Sequence, residues 1–237
     1  MIDFESFTHL TFDCYGTLID WENGILTAIA PVLERHEISV KSDQVLRLFA
    51  KYEAEQEAGA WQSYRGVLRS VMSAIASELN FSPDASDLEA LPDSVGSWPT
   101  FPDTIAALRR LKRRYKLVII SNIDDALFAK TAELLEVEFD DAITAEQVRH
   151  YKPSPENFRF ALKRLGVSPR QVLHVAQSLF HDHVPAKQLG FTTVWVNRPS
   201  RLPGTGLSLP AEVRPDLEVR SLRSLVAVMD RGGLGRG

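Results

Sequence analysis

The sequence has little of what marks secreted, membrane-spanning and nucleic-acid-binding proteins. Cys14 is its one cysteine, which excludes an intrachain disulfide and is typical of a reducing compartment. Apolar runs fall short of the roughly 18 residues that cross a bilayer, and residues 1–10 lack the basic and apolar segments of a signal peptide. The net charge of −4 leaves no basic excess for nucleic acid. We therefore expect a soluble, cytoplasmic protein without membrane or nucleic-acid partners.

Short apolar runs alternate with helical patterns along most of the chain. The 237 residues suffice for one large domain, or for a core with a smaller inserted domain. Apolar runs with β-branched or aromatic members predict strands at residues 7–13, 117–120, 142–144, 172–176 and 192–196. Helices are predicted between the later strands, at residues 103–111, 126–135, 155–165 and 183–189. This alternation indicates an α/β fold, a Rossmann-like doubly wound parallel sheet covered by helices on both faces.

The stretch from about residue 22 to residue 92 has a different texture. Its apolar residues recur three and four positions apart, which predicts helices, and no strand-like alternation appears there. We therefore predict a catalytic core formed by residues 1–20 and 97–237, with an inserted all-helical cap at residues 21–96. Residues 199–215 are rich in Pro, Gly and Ser, which predicts a surface loop.

Polar side chains stand at four strand ends of the predicted fold. These ends lie at the sheet edge where open α/β folds place their ligands. The first strand runs into Asp13-Cys-Tyr-Gly-Thr17, and the second into Ser121-Asn122. Lys152 precedes the helix at 155–165, and Ser178 follows the strand at 172–176, with Asp182 four residues further along. Because these segments end at one edge, we expect their side chains to converge on one site.

The side chains at this edge suit nucleophilic displacement followed by hydrolysis. Asp13 can attack as a carboxylate nucleophile and form an ester that water later cleaves. Lys152 can keep that carboxylate ionised, since a nearby opposite charge favours the charged form. Asp182 can position or activate the water. Hydrogen bonds to Asp13 or to a substrate carboxylate can come from Thr17, Ser121 and Asn122.

The four motifs, in this order, resemble those of the haloacid dehalogenase superfamily over residues 5–21 and 97–198. The resemblance implies covalent attack by Asp13. Phosphatases of that superfamily carry aspartates at the positions of Tyr15 and Ser178, the first as general acid and the second in a Mg²⁺ site. Their absence favours the L-2-haloacid dehalogenase branch, which displaces leaving groups from carbon. No metal and no other cofactor is then expected.

The resemblance further implies a small carboxylic-acid substrate and a possible homodimer. The predicted function is metal-independent hydrolysis of a 2-substituted carboxylic acid through an ester at Asp13. The predicted substrate-binding residues lie in or beside the motifs: Cys14, Tyr15, Trp21 and Ser178.

Some positions depart from the pattern of the L-2-haloacid dehalogenases. The predicted helix around residues 49–57 lacks the arginine that those enzymes carry there, and Phe158 stands where they tend to have a tyrosine. A second resemblance, to azetidine-2-carboxylate hydrolase, which opens a strained ring amine, rests on the strings Asp13–Trp21, Ser121–Asp124, Lys152–Phe158 and His181–Ala186. A cationic amine substrate would give a role to one or more acids of the predicted cap: Glu53, Glu55 and Glu57.

Two other functions stay open from the sequence alone. A Mg²⁺-dependent phosphatase would need another acid in place of the one missing at Tyr15. A binding or regulatory protein could keep the fold without the chemistry, although the four polar motif positions are all present.

Overall fold

The computed structural model describes residues 2–204 and 206–233, which form one six-stranded parallel sheet. The strands are β1 (His9–Phe12), β2 (Lys116–Ser121), β3 (Asp141–Thr144), β4 (Val172–Ala176), β5 (Thr192–Val196) and β6 (Leu217–Val219). Their order across the sheet is β3-β2-β1-β4-β5-β6, so that β1 lies between β2 and β4.

Helices connect and cover the strands. They are α1 (Trp21–Arg35), α2 (Ser42–Glu57), α3 (Tyr64–Glu78), α4 (Ala85–Ser94), α5 (Thr104–Leu111), α6 (Asp125–Leu135), α7 (Ala145–Val148), α8 (Glu156–Leu165), α9 (Val184–Gln188) and α10 (Leu222–Gly233). A π-helical turn, Leu179–His183, precedes α9. None of the helices in the described ranges is long and apolar enough to cross a membrane.

The sheet is buried on both faces, as the apolar strand sequences require. Side chains alternate across a strand, so Leu117 and Ile119 of β2 join one hydrophobic cluster while Val118 and Ile120 join the other. The second cluster also contains Phe158 of α8. The arrangement confirms the predicted doubly wound α/β fold.

The segment between β1 and α5 is helical, as the periodicity predicts. In α3 the buried residues recur three and four positions apart: Val67, Leu68, Val71, Met72, Ile75 and Ala76. Asp124, which follows β2, accepts hydrogen bonds from the backbone N–H groups of Tyr64 and Arg65, each at 2.8 Å. This carboxylate fixes the start of α3 against the carboxyl end of the sheet. The division into a core and a cap at residues 21–96 stays a prediction.

The loop predicted at residues 199–215 is only partly a surface loop. Leu202, Leu207 and Ser208 are buried, and the Ser208 hydroxyl donates to the Gln177 side-chain oxygen at 2.9 Å. The loop leaves the carboxyl end of β5 and folds against the segment that follows β4. Composition could not predict this, because burial of the loop depends on a partner 31 residues away. β6 and α10 were not predicted.

Candidate active site

Three charged side chains meet in the interior at the carboxyl end of the sheet. The Lys152 ammonium donates to Asp13 Oδ1 at 2.9 Å, to Asp182 Oδ1 at 2.7 Å and to the Ile120 carbonyl at 2.9 Å. The lysine and both aspartates are buried. The turn after β1, the loop before α8 and the π-helical turn each contribute one member of this triad, which is the convergence that the motifs predict.

The triad is held together by charge. Burial opposes a charge on Lys152, but the carboxylates of Asp13 and Asp182 outweigh it and raise the pKa of the lysine. Burial also opposes a charge on Asp182, yet Lys152 and His174 hold its pKa well below the usual range. For Asp13, burial and the neighbouring Asp182 raise the pKa above its usual value, and the Lys152 ammonium and Thr17 hydroxyl only partly offset the rise. Lys152 is thus a permanent cation shared by two carboxylates.

The turn after β1 orients Asp13. Gly16 has a φ of +89°, a conformation that glycine adopts without strain, and it lets Thr17 fold back. The Thr17 hydroxyl donates to Asp13 Oδ2 at 2.6 Å and accepts from the Gln177 backbone N–H at 2.9 Å. The buried guanidinium of Arg198 donates to the Thr17 carbonyl and pairs with Asp103 at 2.6 Å. The position of the Asp13 carboxylate is therefore fixed by the segments that follow two neighbouring strands, β1 and β4.

Asp182 is oriented by a histidine that the motif comparison did not single out. Nε2 of the fully buried His174 lies 3.1 Å from Asp182 Oδ1, and Nδ1 lies 2.9 Å from the Thr11 hydroxyl. A ring that donates from Nε2 to Asp182 and accepts at Nδ1 from the Thr11 hydroxyl satisfies both contacts. The other oxygen of Asp182, Oδ2, is buried and has no hydrogen-bond partner among the described residues. It is available to accept from a water or a ligand.

A small cavity opens onto this triad. The cavity volume open to the centre of a water molecule is about 40 Å³. A cavity of this size suits a small substrate rather than a bulky one. Of the ten predicted site residues, those that line it are Asp13, Tyr15, Trp21, Ser121, Asn122, Lys152, Ser178 and Asp182.

Two predicted site residues lie beside the cavity instead of lining it. Thr17 is fully buried behind Asp13, so it positions the carboxylate and has no route to the substrate. Cys14 was predicted to bind substrate, and this prediction is not supported by its placement: the side chain is fully buried in the main hydrophobic cluster. Adjacent residues at a strand end point in opposite directions, so Cys14 faces away when Asp13 faces the site.

Two of the lining residues have protein partners of their own. The Asn122 amide donates to the Glu57 carboxylate at 3.1 Å and to the Lys152 carbonyl at 3.1 Å, and its oxygen accepts from the Lys152 N–H at 2.7 Å. The Tyr15 hydroxyl lies 2.9 Å from the Thr131 hydroxyl. Asn122 thus holds the loop that carries Lys152, and Tyr15 presents its ring to the cavity.

The helical side of the cavity is acidic. Glu53 and Glu57 of α2 line it, and the Tyr64 hydroxyl donates to Glu53 at 2.5 Å. Burial raises the pKa of Glu53 to about 7. Burial, together with the neighbouring Glu53, raises the pKa of Glu57 well above its ordinary value. Glu55, which the sequence left as a third candidate, is exposed.

The residues present do not fit a divalent cation. No cluster of three or more His, Cys, Asp or Glu side chains with suitable geometry for a metal occurs within residues 2–204 and 206–233. The two carboxylates that could serve as hard-cation ligands, those of Asp13 and Asp182, already share the Lys152 ammonium. Ser178 supplies only a hydroxyl, which contacts His181.

Comparison with known families decides the classification. The family model described as haloacid dehalogenase-like hydrolase matches residues 7–182, which include all four motifs. The chain belongs to the haloacid dehalogenase-like hydrolases. The prediction that it is an enzyme, and a hydrolase, is confirmed.

Curated relatives of this hydrolase include several (S)-2-haloacid dehalogenases. It is 27% identical over 215 residues to (S)-2-haloacid dehalogenase 4A of Burkholderia cepacia, an alignment that covers 84% of this chain and 87% of the relative. It is 28% identical over 230 residues to the (S)-2-haloacid dehalogenase of Pseudomonas sp. (strain YL), with 93% and 94% covered. These relatives support the predicted branch. The likeness to azetidine-2-carboxylate hydrolase stays a prediction.

Solved structures have the same fold. The L-2-haloacid dehalogenase from Xanthobacter autotrophicus, with chloropropionic acid covalently bound, superposes with a TM-score of 0.81 at 23% identity and covers 98% of this chain and 100% of its own. The L-2-haloacid dehalogenase PA0810 gives a TM-score of 0.80 at 24% identity, with 95% and 99% covered.

Three residues at or behind the site were not predicted from the motifs. His181 and Ser208 line the cavity, and His174 supports Asp182. His174 left a signal in the sequence, because it is a polar residue inside the apolar strand β4. Ser208 left none, since it lies in a loop whose position depends on the completed sheet.

Proposed function

We propose that this hydrolase displaces a leaving group, in the first instance a halide, from C2 of a small carboxylic acid. The observation that carries the proposal is the Asp13 carboxylate, which lines the cavity while Lys152 and Thr17 hold its two oxygens at 2.9 and 2.6 Å. An oxygen of Asp13 forms a bond to C2, and the C2–halogen bond breaks with its electron pair leaving as halide. The product of this step is an aspartyl ester.

Hydrolysis of the ester returns the enzyme to its starting state. A water oxygen attacks the ester carbonyl carbon of Asp13, and the bond between that carbonyl carbon and the alkoxy oxygen breaks to release a 2-hydroxy acid. Asp182 orients this water, accepts one of its protons and passes it to the alkoxy oxygen as that oxygen leaves, and the acid form of Asp13 that results loses its proton to solvent. Lys152 stabilises the charge that develops on Asp13 through their contact at 2.9 Å.

We propose that the reaction is independent of metal ions. The cation beside Asp13 and Asp182 is the Lys152 ammonium. It supplies the positive charge that Mg²⁺ supplies at a phosphoryl group. Displacement at carbon has no phosphate dianion to neutralise. We therefore expect EDTA to leave turnover unchanged.

The decisive experiment follows the oxygen atom. Chloride release from (S)-2-chloropropionate is measured with EDTA present, for the native chain and for Asp13→Asn.

A single turnover in water enriched in oxygen-18 is expected to place the heavy oxygen in the Asp13 side chain, because water attacks the ester and not C2. Heavy oxygen in the 2-hydroxy acid of the first turnover would show direct attack by water and overturn the covalent route.

A further inference from the structure

Two carboxylates one helical turn apart face the cavity from α2. Glu53 and Glu57 are four residues apart, so they share one face of the helix, and both line the cavity that contains Asp13. Glu55 lies between them in sequence and is exposed. The inward pair is therefore distinct from the solvated acidic face that a run of glutamates normally forms.

Neither glutamate forms an ion pair with a described residue, although the Lys152 ammonium acts through space to lower the pKa of Glu57. The hydrogen bonds to these glutamates come from neutral donors. The Tyr64 hydroxyl donates to Glu53, and the Asn122 side-chain amide donates to Glu57. The basic side chains on the cavity wall are Lys152 and His181. Lys152 is committed to Asp13 and Asp182, and burial lowers the pKa of His181 to about 4, so this imidazole is neutral near pH 7.

The cavity therefore has more acidic groups than basic ones. Four carboxyl groups line it, from Asp13, Glu53, Glu57 and Asp182, against one ammonium. Buried carboxylates without a cation are costly, and the raised pKa values of the two glutamates reflect that cost. A bound ammonium group would favour the ionised form of both glutamates and donate hydrogen bonds to their oxygens.

We propose, resting on the displacement at Asp13 described above, that the preferred substrate is a small carboxylic acid that also carries a protonated amine, and that Glu53 and Glu57 bind its ammonium group. Such a zwitterion brings its own counter-charge into the cavity. A simple 2-haloacid brings only a carboxylate and offers the two glutamates no cation.

The test compares two acids that differ in one amine. Chloride release from 3-amino-2-chloropropionate and from 2-chloropropionate is measured for the native chain, Glu53→Gln, Glu57→Gln and the double variant. Glu55→Gln is the matched control, because it removes an exposed carboxylate from the same helix. We expect the native chain to prefer the amine by about tenfold or more in kcat/KM, and the double variant to lose that preference. Glu55→Gln should keep it.

Binding separates this proposal from the proposed chemistry. Calorimetric titration of Asp13→Asn with each acid measures affinity without ester formation, and Asp13→Asn combined with the two glutamine substitutions should lose the preference for the amine. Chloride release from both acids at equal kcat/KM, unchanged in the double variant, would overturn the ammonium subsite and leave the displacement intact. No chloride release from either acid, with preferential binding of the amine retained, would overturn the displacement and leave the subsite.

Discussion

At the scale of single residues, the buried side chains of His174 and Lys152 fix the orientation of Asp182. Asp182 makes one hydrogen bond to Lys152 and one to His174, both through Oδ1. The histidine is itself held by Thr11 of β1. Because His174 does not line the cavity, its effect on the reaction must pass through Asp182, and it is a positioning residue.

Replacement of His174 should separate the two half-reactions. In His174→Phe, Asp182 loses the contact that orients it, so the ester should form while its hydrolysis slows by about tenfold or more. We expect a burst of about one chloride per enzyme, measured by rapid quench, followed by slow turnover. His174→Gln, which keeps a side-chain donor, should recover part of the steady-state rate. An equal loss of burst and steady state in both variants would indicate a merely structural role.

Glu53 should make folding stability depend on pH. Burial raises its pKa from 4.5 to about 7, so between these values the folded state holds a proton that the unfolded chain has lost. The stabilising effect of this proton is complete below pH 4.5 and is lost as the pH rises through 7. The loss is on the order of 1–3 kcal/mol.

Glu53→Gln should remove this dependence, because the amide accepts from Tyr64 and carries no charge. Urea denaturation at about pH 5 and about pH 8 should show a smaller loss of unfolding free energy for this variant than for the native chain. Glu55→Gln is the control and should behave as the native chain does. Parallel pH profiles for all three proteins would contradict the assignment.

At the scale of elements, close packing between the helical segment and the chain that returns to the sheet fixes the cavity wall. Gly24 of α1 lies against the ring of Trp98, and Trp98 in turn meets the Tyr15 ring edge-on at 5.7 Å between centroids. Tyr15 lines the cavity, so the helix contact reaches the site through two aromatic rings.

Gly24→Ala should therefore weaken the contact between these elements. Its Cβ would lie 2.6 Å from Trp98 Cδ1, which forces the indole or the helix to move. We expect a loss of about 1–3 kcal/mol in unfolding free energy, measured by urea denaturation. Gly66→Ala in α3 is the control: its Cβ would meet the flexible end of Gln62 at 3.0 Å, and we expect little change or a slight gain. Equal effects of the two substitutions would argue against a packing role for Gly24.

The whole molecule is acidic, with a net charge of −4. An anionic substrate approaches such a protein against a weak repulsion, whereas a zwitterion with no net charge does not. Solution ionic strength screens the long-range part of this field.

The two acids should therefore respond differently to salt. Between about 20 and about 200 mM salt, kcat/KM for 2-chloropropionate should rise by up to about twofold as the repulsion is screened. The value for 3-amino-2-chloropropionate should change less. Steady-state chloride release over a salt series measures both, and a parallel change for the two acids would point to a general salt effect on the protein.

Local sequence patterns predicted most of the fold. The predicted strands 172–176 and 192–196 coincide with β4 and β5. A short run rich in apolar and β-branched residues predicts a strand without any knowledge of the rest of the fold. β6 has three residues, too few for a period, and α10 follows it in a stretch where no element was predicted. The buried part of the loop after β5 depends on Gln177, which is distant in sequence.

The sequence by itself determined the parallel sheet and the presence of Asp13, Lys152 and Asp182 at its carboxyl edge, because strand direction alone sends all strand ends to one side. The tertiary structure decided the contacts: Lys152 between two carboxylates, Cys14 turned away, and two glutamates turned inward while Glu55 faces solvent. These depend on how a helix rotates about its axis and on groups up to 139 residues apart. The spacing of residues along the chain does not predict which distant side chains come into contact. The packing of the folded chain determines those contacts.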